Sequence, residues 1–155
     1  MQTPRRLLGW ALCLALALAA APGPVDAAPA SISTTGPQNK TVLASAARTA
    51  SANSADLTNS NGRGVVVVID ATASAATPSV VFTVKGKDPL SGIYYTILAS
   101  AAVTGISTTV LRIYPGLTAI ANQTATDVLP RTYRVEAVAG DADSLTYSVG
   151  ALEIL

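Results

Sequence analysis

Five consecutive β-branched residues, Val65, Val66, Val67, Val68 and Ile69, stand between Gly64 and Asp70. Such side chains are stiff at χ1 and pack well on a pleated strand. An unbroken apolar run of this length has the pattern of a strand buried on both faces. This run is therefore expected at the centre of a β core.

The flanking segments alternate with the period of two that half-buried strands require. Over 79–87, Val80, Phe82 and Val84 share one face, and Val81, Thr83 and Lys85 the other. Asp88-Pro89-Leu90-Ser91-Gly92 then reads as a turn, with Pro89 presetting its second position and Gly92 tolerating a positive φ. Residues 93–99 supply the return strand of that hairpin. Over 108–114, Leu111 and Ile113 alternate with Arg112, and Pro115-Gly116 ends the strand.

Residues 117–129, with Asn122 and Asp127, read as a long connection from one sheet to another, closed by Pro130. Over 132–139, Tyr133, Val135 and Ala137 point inward, with Arg134 and Glu136 outward as a surface pair worth ~0–1 kcal/mol. Gly140-Asp141-Ala142-Asp143 is a turn expected to join this strand to the last one, 145–155, as a second hairpin. Residues 41–49 read as a first edge strand, with a short helix over the Ala-rich 44–52 as the alternative. The Asn-rich 50–62 reads as a mobile polar loop. The count is about seven strands at the spacing of a sandwich. The expected fold is all-β, a single antiparallel β-sandwich or jelly-roll-like domain over 41–155.

Before it, Arg5 and Arg6, the apolar stretch 7–21 and the small-x-small site ending at Ala27 form the three parts of a secretory signal. The apolar stretch is short for a transmembrane helix, which needs about 20 apolar residues. Cys13 lies too early in it for a lipoprotein cleavage site. The alternative is a spurious upstream extension of the reading frame. Residues 28–40, with Pro29, Gly36 and Pro37, read as a flexible linker. No stable membrane anchor is expected once the signal is removed. The expected location is periplasmic or extracellular, or the virion if the signal is not real.

Charge excludes one class of partner. The ten basic residues include Arg5 and Arg6 and the nine acidic ones include Asp26, so the chain from residue 28 is neutral. Without clustered Lys or Arg, no nucleic-acid groove is expected. Only 12 % of residues are charged, against a usual share of about 25 %. The surface must then be built of Ser, Thr, Ala, Asn and Gly, which solvate weakly and pack readily against neighbours.

Chemistry is constrained by absence. There is no histidine, and Cys13 is the one cysteine, which excludes a Ser-His-Asp triad, an imidazole base and a His-ligated zinc. Lys40, Lys85 and Lys87 stand in no Ser-x-x-Lys arrangement. Gly62-Arg63-Gly64 leads into a strand, not a helix, and reads as a tight turn rather than a phosphate loop. Asp141 and Asp143, with Asp127, offer hard oxygens of the kind Ca²⁺ takes. Asp is also a turn former, and two carboxylates at i and i+2 cannot flank a sugar bond. Tyr94 and Tyr114 are candidates for a sugar-stacking platform, with sheet-face packing the commoner fate. A non-enzymatic module with no cofactor is expected, with calcium at Asp141, Asp143 and Asp127 as the alternative.

The stretches TVLASAARTA, GRGVVVVIDATA, TPSVVFTVKGKDPLSGIYYTILASAAV, VLRIYPGL, DVLPRTYRVEA and DADSLTYSVGA resemble a family of small all-β proteins encoded among tailed-phage and prophage structural genes. The likeness spans nearly all of 41–155. It implies a head-decoration or minor virion protein that associates with itself or with other virion proteins, and it carries no catalytic residues. The N-terminal segment departs from the pattern, because such proteins begin near Thr41 without a signal. An exported adhesion or ligand-binding sandwich, meeting other surface proteins, is the alternative.

Overall fold

A computed structural model describes residues 36–155. The signal-like segment with Ala27, and the linker as far as residue 35, lie outside the described residues. The described chain contains strands and their connections, and no described helix is long and apolar enough to cross a membrane.

Ten strands form two sheets: β1 (Gln38–Arg48), β2 (Ala52–Asn53), β3 (Leu57–Thr58), β4 (Gly64–Ser74), β5 (Val80–Lys87), β6 (Tyr94–Ala99), β7 (Ser107–Ile113), β8 (Thr124–Ala125), β9 (Thr132–Ala139) and β10 (Leu145–Ile154). The front sheet runs β1-β10-β4-β7-β8 and the back sheet β2-β9-β5-β6, with β3 also on β9. Neighbours are antiparallel except β7 and β8. The sandwich is as expected, with ten strands in place of about seven. The three additional strands have two residues each, too short for an apolar period to register. β1 also starts before Thr41, taking Gln38, Asn39 and Lys40 out of the linker.

The alternating positions meet between the sheets. Val65, Val67 and Ile69 of β4 face Phe82 and Val84 of β5, and all five are fully buried. Phe82 and Tyr147 meet across the gap edge to face, with ring centroids 4.9 Å apart and planes at 87°, a favoured aromatic geometry. Val68, however, is 38 % exposed, so β4 is not buried on both faces as its composition suggests. Valine suits a strand on either face, and only the inner face of β4 has a second sheet against it.

Two further expectations change. β9 and β10 form no hairpin, because β9 is paired on both sides in the back sheet and β10 on both sides in the front sheet. The turn after β9 therefore crosses the sandwich. The loop at 50–62 is pinned rather than loose. Ser54 N donates to Val135 O at 2.9 Å, and Val135 N donates to Ser54 Oγ at 3.0 Å. Buried Asn59 donates from Nδ2 to Gly62 O and Leu129 O, and accepts from Gly62 N. The β5–β6 hairpin is as expected, with Gly92 at φ +71° and Asp88 accepting from Leu90 N and Ser91 Oγ.

Candidate functional site

Two outer faces remain, and they differ in chemistry. On the back sheet, register puts Lys85 beside Arg134 and Lys87 beside Tyr94, with Glu136 one pleat along. Glu136 pairs with Lys85 at 2.5 Å and with Arg134. These cations cover it, so its pairing with Arg134 is not the fully exposed one expected. Asp56 takes Lys87 at 2.7 Å and the Tyr94 hydroxyl at 2.5 Å. The Arg134 guanidinium lies 3.6 Å from the Tyr94 ring centroid. Hydrogen bonds from Lys87 and Tyr94 hold the Asp56 carboxyl below the usual range. Burial pushes Glu136 upward, but its two cations more than offset this and leave it lowered. On this face three cations and two carboxylates are linked through ion pairs, with Arg134 Nε left without a hydrogen-bond partner.

The front sheet presents the opposite. Side chains alternating with the buried set point outward, and register aligns them in rows across four strands. Asn39, Leu152, Val66 and Arg112 make one row, and Thr41, Gly150, Val68 and Val110 the next. Ser148, Asp70 and Thr108 make the third. Among these described positions only Arg112 and Asp70 are charged, and they stand two rows apart. Neither joins an ion pair among the described residues. Asp70 accepts from Thr108 Oγ1 at 3.2 Å. Over Gly150, where a Cβ would make only an ordinary contact with Lys40 O, lies a depression bordered by Asn39, Thr41, Val68 and Leu152. A second, almost wholly apolar hollow is bordered by Val66, Tyr114, Leu117 and Ile154.

The carboxylates singled out from sequence are dispersed. Asp127 lies in the connection entering β9, where it accepts from Val128 N at 2.7 Å. Asp141 and Asp143 lie beyond the far end of β9, an eight-residue strand about 26 Å long at the usual rise. Asp141 accepts from Asp143 N, and Asp143 accepts from Thr77 N at 3.1 Å. The structure brings Asp141 and Asp143 together and leaves Asp127 apart. No group of three or more potential metal ligands occurs among the described residues.

Tyr94 and Tyr114 both pack against neighbours, the fate held the commoner, and neither is an open platform. Arg134 covers Tyr94, and the Tyr114 hydroxyl donates to Leu155 O at 3.2 Å with Arg63 near its ring. The Gly62-Arg63-Gly64 stretch is a turn into β4, with Gly64 packed so closely on Ile113 and Tyr114 that a Cβ would overlap them. Sequence reasoning missed the front face, although its signal was present: Val66, Val68 and Asp70 recur with the same period of two as Val65, Val67 and Ile69. No family model matches the chain, and no curated protein matches it.

Proposed function

We propose that this chain is a non-enzymatic structural protein that packs by a charge-poor β surface into a repeated assembly, in the manner of a phage or prophage virion accessory protein. The observation that carries the reading is the contrast between the two outer faces. The back face gathers its charges into ion pairs, whereas the front face offers valine, threonine, leucine and glycine in rows, with two charges that form no ion pair among the described residues. Surfaces depleted of charge and containing apolar side chains are those that become interface cores. The phage-like sequence stretches supply the setting.

Light scattering on the protein purified from cells expressing the full chain, with co-sedimentation on tailed-phage heads, tests this. Self-association or capsid binding is expected. A strict monomer with no capsid affinity contradicts it.

The β5–β6 hairpin favours a second reading, an exported adhesion or ligand-binding sandwich. Its tip holds Leu90 96 % exposed and Ile93 68 % exposed, beside a hollow bordered by Pro89, Tyr95 and Pro130. Sequencing the native N-terminus separates the two. A start at Ala28 favours export, and a start near Thr41 favours the virion.

A further inference from the structure

We infer that a second copy of this chain docks on the outer face of the front sheet, face to face about a two-fold axis, with Arg112 of each copy paired to the partner's Asp70. The inference rests on the self-assembly reading above and names the surface and symmetry that carry it.

Register sets the spacing of the two charges. Arg112 lies opposite Val66, and Asp70 opposite Thr108, so they sit on neighbouring strands, four residues apart along β4. That is roughly 13 Å at the rise of a strand. Midway between them runs the row Thr41, Gly150, Val68, Val110, which carries no charge. A two-fold axis parallel to the sheet, lying across its strands along this row, exchanges the two ends of the face. Arg112 then lies level with the partner's Asp70 and one strand to the side, about 5 Å, an offset its long side chain spans. The reciprocal pair forms at the same time, as an isologous interface requires. No translation or second charge set is needed. Val68 and Val110, on the axis, meet their own equivalents. The two front sheets then stack as sheets in a sandwich do, about 10 Å apart.

The alternative route to a β assembly, edge to edge, is blocked at β1. Register shifts interrupt β1 between Thr41 and Leu43 and again between Leu43 and Ala46. Arg48 donates to the carbonyl oxygens of Ala44 at 2.7 Å and Ala46 at 3.2 Å, and to Tyr147 O of β10 at 2.9 Å, which fixes the irregular end of β1 to its neighbour. Lys40 turns inward, to Glu153 and Thr58 O. Bulges and inward charges are the devices by which sheets refuse edge pairing. The face, not this edge, is left as the adhesive surface.

Sedimentation velocity across a concentration series tests the inference on the full-chain protein, wild type and variants. Val68→Glu places two like charges together on the axis, a strongly unfavourable juxtaposition, so the dimer is expected to weaken about 100-fold or more. Asp70→Arg and Arg112→Asp are each expected to weaken the dimer about 10-fold, and the double exchange to restore it to within about 3-fold. The exchange keeps the inference testable if Val68→Glu fails to fold. A wild-type oligomer unmoved by Val68→Glu or by the single exchanges overturns this interface while leaving self-association intact. A wild type that is monomeric throughout overturns both.

Discussion

The Tyr133 hydroxyl of the back sheet donates to Glu153 Oε1 of the front sheet at 2.9 Å, tying the two sheets together through a carboxylate whose side chain is 2 % exposed. Lys40 reaches the same oxygen at 2.6 Å and lies 5.9 Å from the centroid of the Tyr133 ring. Edge strand β1 is thus held to both sheets by one buried acidic group. Removing the donor leaves that group short of a partner. Tyr133→Phe is expected to lower unfolding free energy by about 2 kcal/mol, and Lys40→Ala by about 3 kcal/mol. Denaturant titration checks both values.

The same substitution at the other buried tyrosine has a different outcome. Tyr147 Oη is buried without a hydrogen-bond partner; Arg48 sits over the ring, 4.5 Å from its centroid, without a well-aligned contact to the hydroxyl. Tyr147→Phe removes a polar atom that makes no compensating bond, so its stability is expected to stay within about 0.5 kcal/mol of wild type or to rise. A loss of about 2 kcal/mol, of the size expected at Tyr133, contradicts this.

Gly86 faces inward beneath Tyr95. A Cβ there would lie 2.5 Å from Tyr95 Cζ and 2.9 Å from Pro130 Cγ. Gly86→Ala is expected to cost about 2 kcal/mol through overpacking, and appreciably less in a Tyr95→Ala background. Thermal melts of the four proteins in that cycle measure the coupling.

The pH profile is set by two groups of residues. The carboxyls of Asp56, Asp88 and Glu136 are lowered in the folded protein. They bind fewer protons folded than unfolded, so their contribution is present above the unfolded value of about 4 and is lost as pH falls through the folded one. Burial raises the hydroxyls of Tyr133 and Tyr147. Their contribution is present below the unfolded value of about 10 and is lost as pH rises above it. With no histidine in the chain, stability is expected to be flat from about pH 6 to 9 and to fall on both sides. A step near pH ~6.5, the ordinary histidine value, in chemical denaturation contradicts this.

The long strands were legible because one face of each is buried. Tyr133, Val135 and Ala137, and Leu145, Tyr147, Val149 and Ala151, declare their inner face by alternation alone, and all are buried. Pairing was not legible. Nothing local to residues 140–144 distinguishes a hairpin from a crossing, which is decided by the slots that β9 and β10 fill in separate sheets. Nor does a run of valines distinguish its outer members from its inner ones, and those outer members, Val66 and Val68, form the candidate surface. The same limit hid the carboxylate at Glu153, since its Lys40 and Tyr133 partners are distant in sequence.

Cross-linking at Val68 tests the assembly most directly. Cys13 is the sole native cysteine, so in a Cys13→Ser background a single introduced thiol reports one position. Val68→Cys lies on the inferred axis, and Val138→Cys occupies a similarly exposed site, 48 % in the native protein, on the back sheet. With a short bismaleimide, a covalent dimer is expected from position 68 and none from position 138. Dimer from position 138 with none from position 68, or equal yields from both, contradicts packing through the front face.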